Sequence, residues 1–241
     1  AFDKDPSRST FRRKALELVG PVTEVLGAVP RTGDSPNAAT LRSDLWLAQV
    51  RFGNVEALKH AQLIFTTGDG SAVEQRAALD VIGQAANDGT FDALLSRAQA
   101  TQDPLEKLRI LRAMALAIDP SLSARMVDIV LGPDAPAGSS EELLEIVGAE
   151  NPDAVWRALA PHLATGPLPM VPEERWNVIP LIAAGSADPA RIDDVRRYGD
   201  EDMPADARRP IEAAMASIKL NEKVRAFVLP DIDRWIAIHA R

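Results

Sequence analysis

Three histidines, His60, His162 and His239, are the residues of this chain best suited to metal or acid–base chemistry, and their spacing works against both. A zinc site on a helix needs two ligands at i and i+4 and a third aimed at the same point. None of the three has another histidine within a helical turn, and no H-E-x-x-H helix occurs, so the expected metal set is none. His60 reads as a surface or groove residue, His162 as a partner of the last carbonyls of its helix, and His239 as part of a frayed end. The absence of cysteine removes disulfides, a thiol nucleophile and thiolate ligation. There is no G-x-S-x-G elbow, and the serines cluster where their hydroxyls can cap helices. Thr67-Gly-Asp-Gly-Ser71 and Gly132-Pro-Asp-Ala-Pro-Ala-Gly138 lack the Lys and the preceding strand of a phosphate loop and read as turns. Adjacent carboxylates such as Asp193-Asp194, Glu141-Glu142 and Glu201-Asp202 would project about 100° apart on a helix, which suits solvated charge. The expected catalytic set is none as well.

Binding is a different matter. Arg109 and Arg112 lie three apart on an otherwise apolar stretch, with Arg97, Lys107 and Arg125 nearby in sequence. Such residues could line an inner face and meet a peptide carboxylate through the guanidinium fork. Ordinary ion pairing with Glu106, Asp92 or Asp128 competes with that reading. A net charge of -8 argues against a nucleic-acid partner, because phosphate binding needs concentrated Lys and Arg. No apolar run approaches the roughly 20 residues that span a bilayer. The polar start Ala1-Phe-Asp-Lys-Asp-Pro6 carries no signal-peptide core, which leaves the compartment open with a slight preference for the cytoplasm.

The elements that must position these side chains read as helices. Aromatic residues are only 5% of the chain, while Ala, Leu, Val and Ile supply most of its apolar 46%, a composition that favours helix over strand. Asx-Pro pairs at Asp5-Pro6, Asp103-Pro104, Asp119-Pro120, Asn151-Pro152 and Asp188-Pro189, with Ser35-Pro36, mark helix starts. Ser71-x-x-Glu74 and Ser139-x-x-Glu142 fit capping boxes. Gly53, Gly89, Gly132, Gly148 and Gly185 are placed where left-handed C-terminal residues are wanted. Leu105, Leu108, Leu111, Ala115 and Ile118 form one stripe, and Ile110, Met114 and Ala117 a second on the same helix. Two stripes imply a helix packed on both sides, as in stacked hairpins. Trp46, Trp156, Trp176 and Trp235 read as packing anchors.

The spacing predicts helices near 10–29, 36–52, 55–66, 72–87, 91–100, 104–118, 120–131, 140–148, 152–164, 172–184, 189–198 and 205–240, the last broken at Leu229-Pro230. Longer connections fall at 132–139, 165–171 and 199–204. The expected fold is all-α: a superhelical array of antiparallel hairpins, a HEAT- or armadillo-like bowl without a repeated sequence motif. Residues 1–9 read as a polar tail and 10–241 as one domain.

Leu41-Arg-Ser-Asp-Leu-Trp46, followed by Gly53-Asn-Val-Glu-Ala-Leu58 and Ala61-Gln-Leu-Ile-Phe65, predicts a hairpin whose turn Phe52-Gly53-Asn54 closes one helix and caps the next. This opening resembles that of the C-terminal helical domain of zinc aminopeptidases of the aminopeptidase N and puromycin-sensitive type. Thr90-Phe-Asp-Ala-Leu-Leu95, Gln102-Asp-Pro-Leu-Glu-Lys-Leu-Arg109, Ala115-Leu-Ala-Ile-Asp-Pro120 and Asn151-Pro-Asp-Ala-Val-Trp-Arg157 resemble successive helices of that domain. Ile218-Lys-Leu-Asn-Glu-Lys-Val-Arg225 and Asp231-Ile-Asp-Arg-Trp-Ile236 resemble its closing helices. The resemblance implies a non-catalytic domain that caps the active site and encloses the peptide chamber, with zinc held in the parent enzyme's upstream catalytic domain. Its implied partners are that domain and the peptide substrate, with neither nucleic acid nor membrane. Peptide-contacting basic residues vary in the family, and Glu150 is acidic here, so no carboxylate-binding role passes to it. Phe11, Leu16, Leu18, Val19, Val22, Val25 and Leu26 carry more apolar surface than one neighbouring helix covers, which marks Phe11 and Leu18 as candidate interdomain contacts. The alternative reading is a stand-alone HEAT-like scaffold for protein–protein interaction.

Overall fold

The computed structural model describes residues 8–27, 31, 33–165 and 168–239. The helices are α1 (Arg8–Leu26), α2 (Pro36–Arg51), α3 (Val55–Thr67), α4 (Ala72–Gln84), α5 (Asp88–Ala100), α6 (Pro104–Ala115) and α7 (Pro120–Leu131). They continue as α8 (Ser140–Glu150), α9 (Pro152–Thr165), α10 (Pro172–Ala184), α11 (Arg191–Asp202), α12 (Arg209–Lys223) and α13 (Leu229–His239). No strand occurs among the described residues. The Asp5-Pro6 pair, residues 28–29 of the first predicted helix and residues 166–167 of the predicted 165–171 connection lie outside them. The predicted polar tail over 1–9 is helical from Arg8 onward.

Consecutive helices up to α12 pack on one another, and α13 continues from α12 through a π-helical turn. The even-numbered helices form an unbroken file in which α2 packs on α4, α4 on α6, α6 on α8, α8 on α10 and α10 on α12. In the odd file, α7 and α9 meet broadly. The even file is the more continuously packed of the two, and we call it the inner file. Contacts also join distant parts of the chain: α1 touches α13, and Arg51 at the end of α2 pairs with Glu150 at the end of α8.

Local sequence explains the hairpins. At the first turn Gly53 takes φ +93°, a left-handed conformation that costs a residue without Cβ little. Asn54 Oδ1 then accepts from the Glu56 and Ala57 amides, both at 3.1 Å, and starts α3. Ser71 and Glu74 form the expected capping box on α4, and Ser35, Asp103 and Asp119 cap α2, α6 and α7. Ser139 does not: its hydroxyl donates to the Pro136 carbonyl at 2.7 Å, because Glu142 is drawn to Arg112 instead.

Other expectations are corrected. Of the five glycines placed at left-handed positions, only Gly53 has a positive φ. Gly148 sits inside α8, where an added Cβ would lie 2.6 Å from Ile182 Cγ1, so its role is close helix packing. Leu105, placed on the apolar stripe of α6, is 66% exposed, whereas Ile110, Leu111 and Met114 are fully buried. α11 begins at Arg191 and runs to Asp202, so 199–202 is helix rather than connection. The last helix does not break at Leu229-Pro230. A π-helical turn over Val224–Val228 precedes it, and the Leu229 amide reaches back five residues to the Val224 carbonyl. That wider turn makes room for a proline that has no N–H to give and would crowd the carbonyl four residues back.

A motif does recur. Asn54, Asn87, Asp119, Asn151, Asp188 and Asn221 fall at intervals of about 33 residues where an even helix gives way to the next segment. Four of them accept backbone amides at the start of an odd helix or the turn leading into it. Asn151 and Asn221 work in reverse. Asn151 Nδ2 donates to the Ala117 and Ile118 carbonyls, each at 3.1 Å, and Asn221 Nδ2 to those of Ala184 at 2.9 Å and Ser186 at 3.1 Å. Each thereby pairs carbonyls left open where α6 or α10 ends.

Candidate functional site

Three successive helices of the even file bring Asp80 of α4, Arg112 of α6 and Glu142 of α8 into electrostatic range, Asp80 the most buried of the three. Arg112 Nη2 donates to Glu142 Oε2 at 2.8 Å, and its Nε lies 2.6 Å from Oε1, a fork-to-carboxylate pair with both side chains 43% exposed. That hydrogen bond raises the Arg112 pKa above its ordinary value. Asp80 accepts no hydrogen bond among the described residues. Burial pushes its carboxyl up to about 6, although the Arg76 and Arg112 cations pull it down. Loss of hydration costs the charged form more than two guanidinium groups return at their distance. On the neighbouring turn of α8, burial first and then the charges of Glu174 and Glu145 raise the Glu141 carboxyl.

The two arginines singled out by sequence are not brought onto one fork. Arg112 is committed to Glu142, while Arg109 leans back toward Glu106 at 3.7 Å. Glu106 is already held by Arg97 of α5 at 2.6 Å, and Arg125 is held by Asp92 and Asp88. Arg109 is thus the less committed cation of the pair. Sequence reasoning missed Asp80 and the Arg51–Glu150 bridge because partners one to three hairpins apart leave no local pattern. It found Glu150 as an acid and could not see what it faces.

The histidines stay apart. His60 stacks on Trp46 with ring centroids 5.2 Å apart, His162 Nε2 lies 3.4 Å from Asp128 Oδ1, and His239 Nδ1 lies 2.8 Å from the Trp235 carbonyl. His162 therefore faces a carboxylate of α7 rather than its own helix end. No group of three or more His, Cys, Asp or Glu side chains that could hold a metal occurs among the described residues. Trp156 is buried beneath the Arg191 guanidinium, and Trp176 Nε1 donates to the Asp202 carbonyl, as packing anchors do. Trp235 is half exposed and anchors less than expected.

At the opening end of the array, α1 leaves Leu18 at 65%, Val22 at 47% and Val25 at 79% exposure. Val22 and Val25, with Pro21, Leu26 and Leu41 of α2, flank an open groove of about 530 Å³, and Leu18 lies outside it. Phe11 differs: it packs edge-on against Phe52 with centroids 6.1 Å apart. Among the described residues no helix is long and apolar enough to cross a membrane.

A family model described as the ERAP1-like C-terminal domain matches residues 1–220. No curated protein matches the chain.

Proposed function

The chain belongs to the family of ERAP1-like C-terminal domains, part of an aminopeptidase, and from that premise we propose that residues 10–241 are one non-catalytic domain of a zinc-dependent enzyme. In this reading the domain caps the active site of an upstream catalytic domain in the same polypeptide and helps enclose the chamber that peptides enter. The metal and the catalytic groups belong to that upstream domain, and no step of peptide hydrolysis is assigned to a residue here.

The observation that supports the docking half of the proposal is the bare apolar stripe of α1. Leu18, Val22 and Val25 recur at i, i+4 and i+7 on one face and, among the described residues, are left half or more exposed. Apolar surface of this kind, rimmed by Arg31 and Asp34, suits a contact between domains of one chain. Leu18 is the better candidate contact, since Phe11 is partly spent on Phe52. The inner layer then faces the chamber, with Arg109 the freer of two peptide-facing cations and Arg112 tied to Glu142.

The test supplies the upstream zinc-binding portion in trans to this chain and measures association by calorimetry, with hydrolysis of peptides of graded length read in parallel. Association weakened at least tenfold by Leu18→Asp or Val25→Asp, and a length dependence that appears only with both fragments present, is the expected result. Fragments that fail to associate at low and moderate salt would overturn the docking and favour a stand-alone scaffold.

A further inference from the structure

Four helices, α1, α2, α3 and the start of α4, surround a cavity of about 280 Å³. Protein interiors are close-packed and leave few voids larger than a water molecule, so a space of this size is unusual. Leu26, Ala39, Leu45, Trp46, Val73 and Ala77 supply much of its wall, and none of Asp80, Arg112 and Glu142 lines it. Val73 and His60 are exposed as well as lining, so the space is reached from solvent. An engineered apolar cavity of about 150 Å³ stays dry and takes benzene, which gives this one room for roughly two fused rings.

The polar groups on the wall decide what fits, because they are already engaged with the protein. Trp46 commits its one donor to the Ala57 carbonyl at 2.9 Å. Gln49 donates to Thr23 Oγ1 at 3.5 Å and accepts from Asn54 Nδ2 at 3.0 Å. Asn54 Oδ1 is taken by the start of α3, and Glu74 Oε2 by the Ser71 amide and hydroxyl. Ser43 Oγ turns back to the Ala39 carbonyl at 3.4 Å. Arg42 is directed at the end of α1, where Nε donates to the Gly27 carbonyl at 3.0 Å and Nη2 to that of Leu26 at 3.1 Å. Its Nη1 is buried and presents no surface to a ligand.

A polar ligand atom entering this space would give up water with no partner waiting. Charge is disfavoured as well. Glu56 and Glu74 repel an anion, and a cation gains little from them, since Glu56 is paired with Lys59 in solvent at 2.9 Å and Glu74 holds the Ser71 cap. Trp46 and His60 stack with centroids 5.2 Å apart and both line the cavity, so part of the wall is an aromatic pair that a further ring extends.

We propose that this cavity binds a free aromatic hydrocarbon, uncharged, without hydrogen-bonding groups and no larger than about two fused rings. An aromatic side chain within a peptide would bring its backbone amides to a wall whose polar groups are engaged, so the free ring is the better fit. This chain alone forms the site, which therefore stands independently of the docking reading.

Proton–nitrogen correlation NMR of the full 241-residue chain tests it, because the Trp46 indole N–H, identified by its loss in Trp46→Phe, reports from the wall. Toluene is expected to shift that signal saturably, with a Kd on the order of 1 mM or tighter. Benzoate, benzylammonium and N-acetyl-phenylalaninamide are each expected to bind at least about tenfold more weakly, and cyclohexane about threefold. Ala39→Leu fills the cavity from α2, and Val73→Phe fills it from a half-exposed position that does not cut into the core. Each is expected to remove the toluene response while the rest of the spectrum stays dispersed, and Val73→Phe decides the matter if Ala39→Leu does not fold. A Trp46 signal unmoved by toluene up to about 5 mM, or a full response in folded Val73→Phe, would overturn the site. Benzoate, benzylammonium or N-acetyl-phenylalaninamide binding as tightly as toluene would overturn the assignment to a free, uncharged ring. Cyclohexane binding as tightly would overturn its aromatic character.

Discussion

Replacing Gly83 by Ala probes the tightest contact between two inner helices. Gly83 lies in α4, and an added Cβ would sit 2.0 Å from the Ala113 carbonyl oxygen, 2.3 Å from its carbonyl carbon and 3.0 Å from its Cα in α6. All three atoms are backbone, so no side chain can swing away. Restoring an ordinary contact requires α4 and α6 to part by roughly 1 Å. That opening would loosen Val81, Ile110 and Met114, all fully buried, and stretch the hydrogen bond from the Ile118 amide to the Gln84 carbonyl, now 3.1 Å. Overpacking of this kind costs typically about 1–3 kcal/mol or more, and lost contacts add to it. Against that, Ala gains roughly 1 kcal/mol over Gly in a helix interior. The net expectation is a destabilisation of about 2–3 kcal/mol, read as a fall in Tm of roughly 4–12 °C for a domain of this size. Thermal unfolding followed by circular dichroism, with urea titration as the second measure, checks it. Gly89→Ala is the control, since its nearest neighbour is Asn87 Oδ1 at 3.6 Å, and it should be neutral or stabilising by up to about 1 kcal/mol. Gly148→Ala should fall between, because Ile182 can turn aside. A Gly83→Ala protein as stable as the parent would show that α4 and α6 do not meet this closely, and the reasoning about the inner file would fail with it.

Asp80→Asn should stabilise the protein at pH 7 and leave it unchanged near pH 3. The Asp80 carboxyl is raised in the folded state, so folding favours the protonated form; that contribution is present below the unfolded pKa and is lost as pH rises through about 6. Allowing for partial exposure, the gain at pH 7 is roughly 1–2 kcal/mol, and urea unfolding at the two pH values separates it from a general effect. Asn151→Ala should cost about 2–3 kcal/mol, because its amide also donates to Ser123 Oγ at 2.8 Å and its loss leaves the Ala117 and Ile118 carbonyls short of donors. Hydrogen exchange should show the loss concentrated between α6 and α9, and uniform loss across the array would argue against a local bracing role.

The helices were legible in the sequence because their signals are local. Asp103-Pro104, Asp119-Pro120, Ser71 with Glu74 and the Phe52-Gly53-Asn54 turn each act within a few residues, and the structure uses them as read, whereas the Asn151 side chain turns to an earlier helix end and α11 starts at Arg191, two residues past Pro189. The roughly 33-residue recurrence of Asx was harder to see because its members differ in chemistry. Asn87 and Asp119 cap helices with an oxygen, whereas Asn151 and Asn221 brace an earlier helix end with a nitrogen. Glycine was read too simply. A left-handed turn and a close helix crossing both need a residue without Cβ, and only the second depends on what another helix presents. Gly148 and Gly185 therefore looked like turn residues and are packing contacts, against Ile182 and Pro152.

The candidate site was the least legible part, and the reason lies in how the array closes. Nearest-neighbour stacking alone would make stability nearly a sum over adjacent units. Here α1 meets α13, and Arg51 reaches Glu150 across the intervening hairpins, so the array is tied at points that no repeat unit encodes. The inner charges follow the same logic. Arg112 and Glu142 neutralise each other from adjacent inner helices, and Asp80 is left without a hydrogen bond beside them. A sequence shows that Arg109 and Arg112 are cations on one helix. It does not show that the next helix in the file has already claimed Arg112, and that claim leaves Arg109, 3.7 Å from Glu106, the less committed of the two.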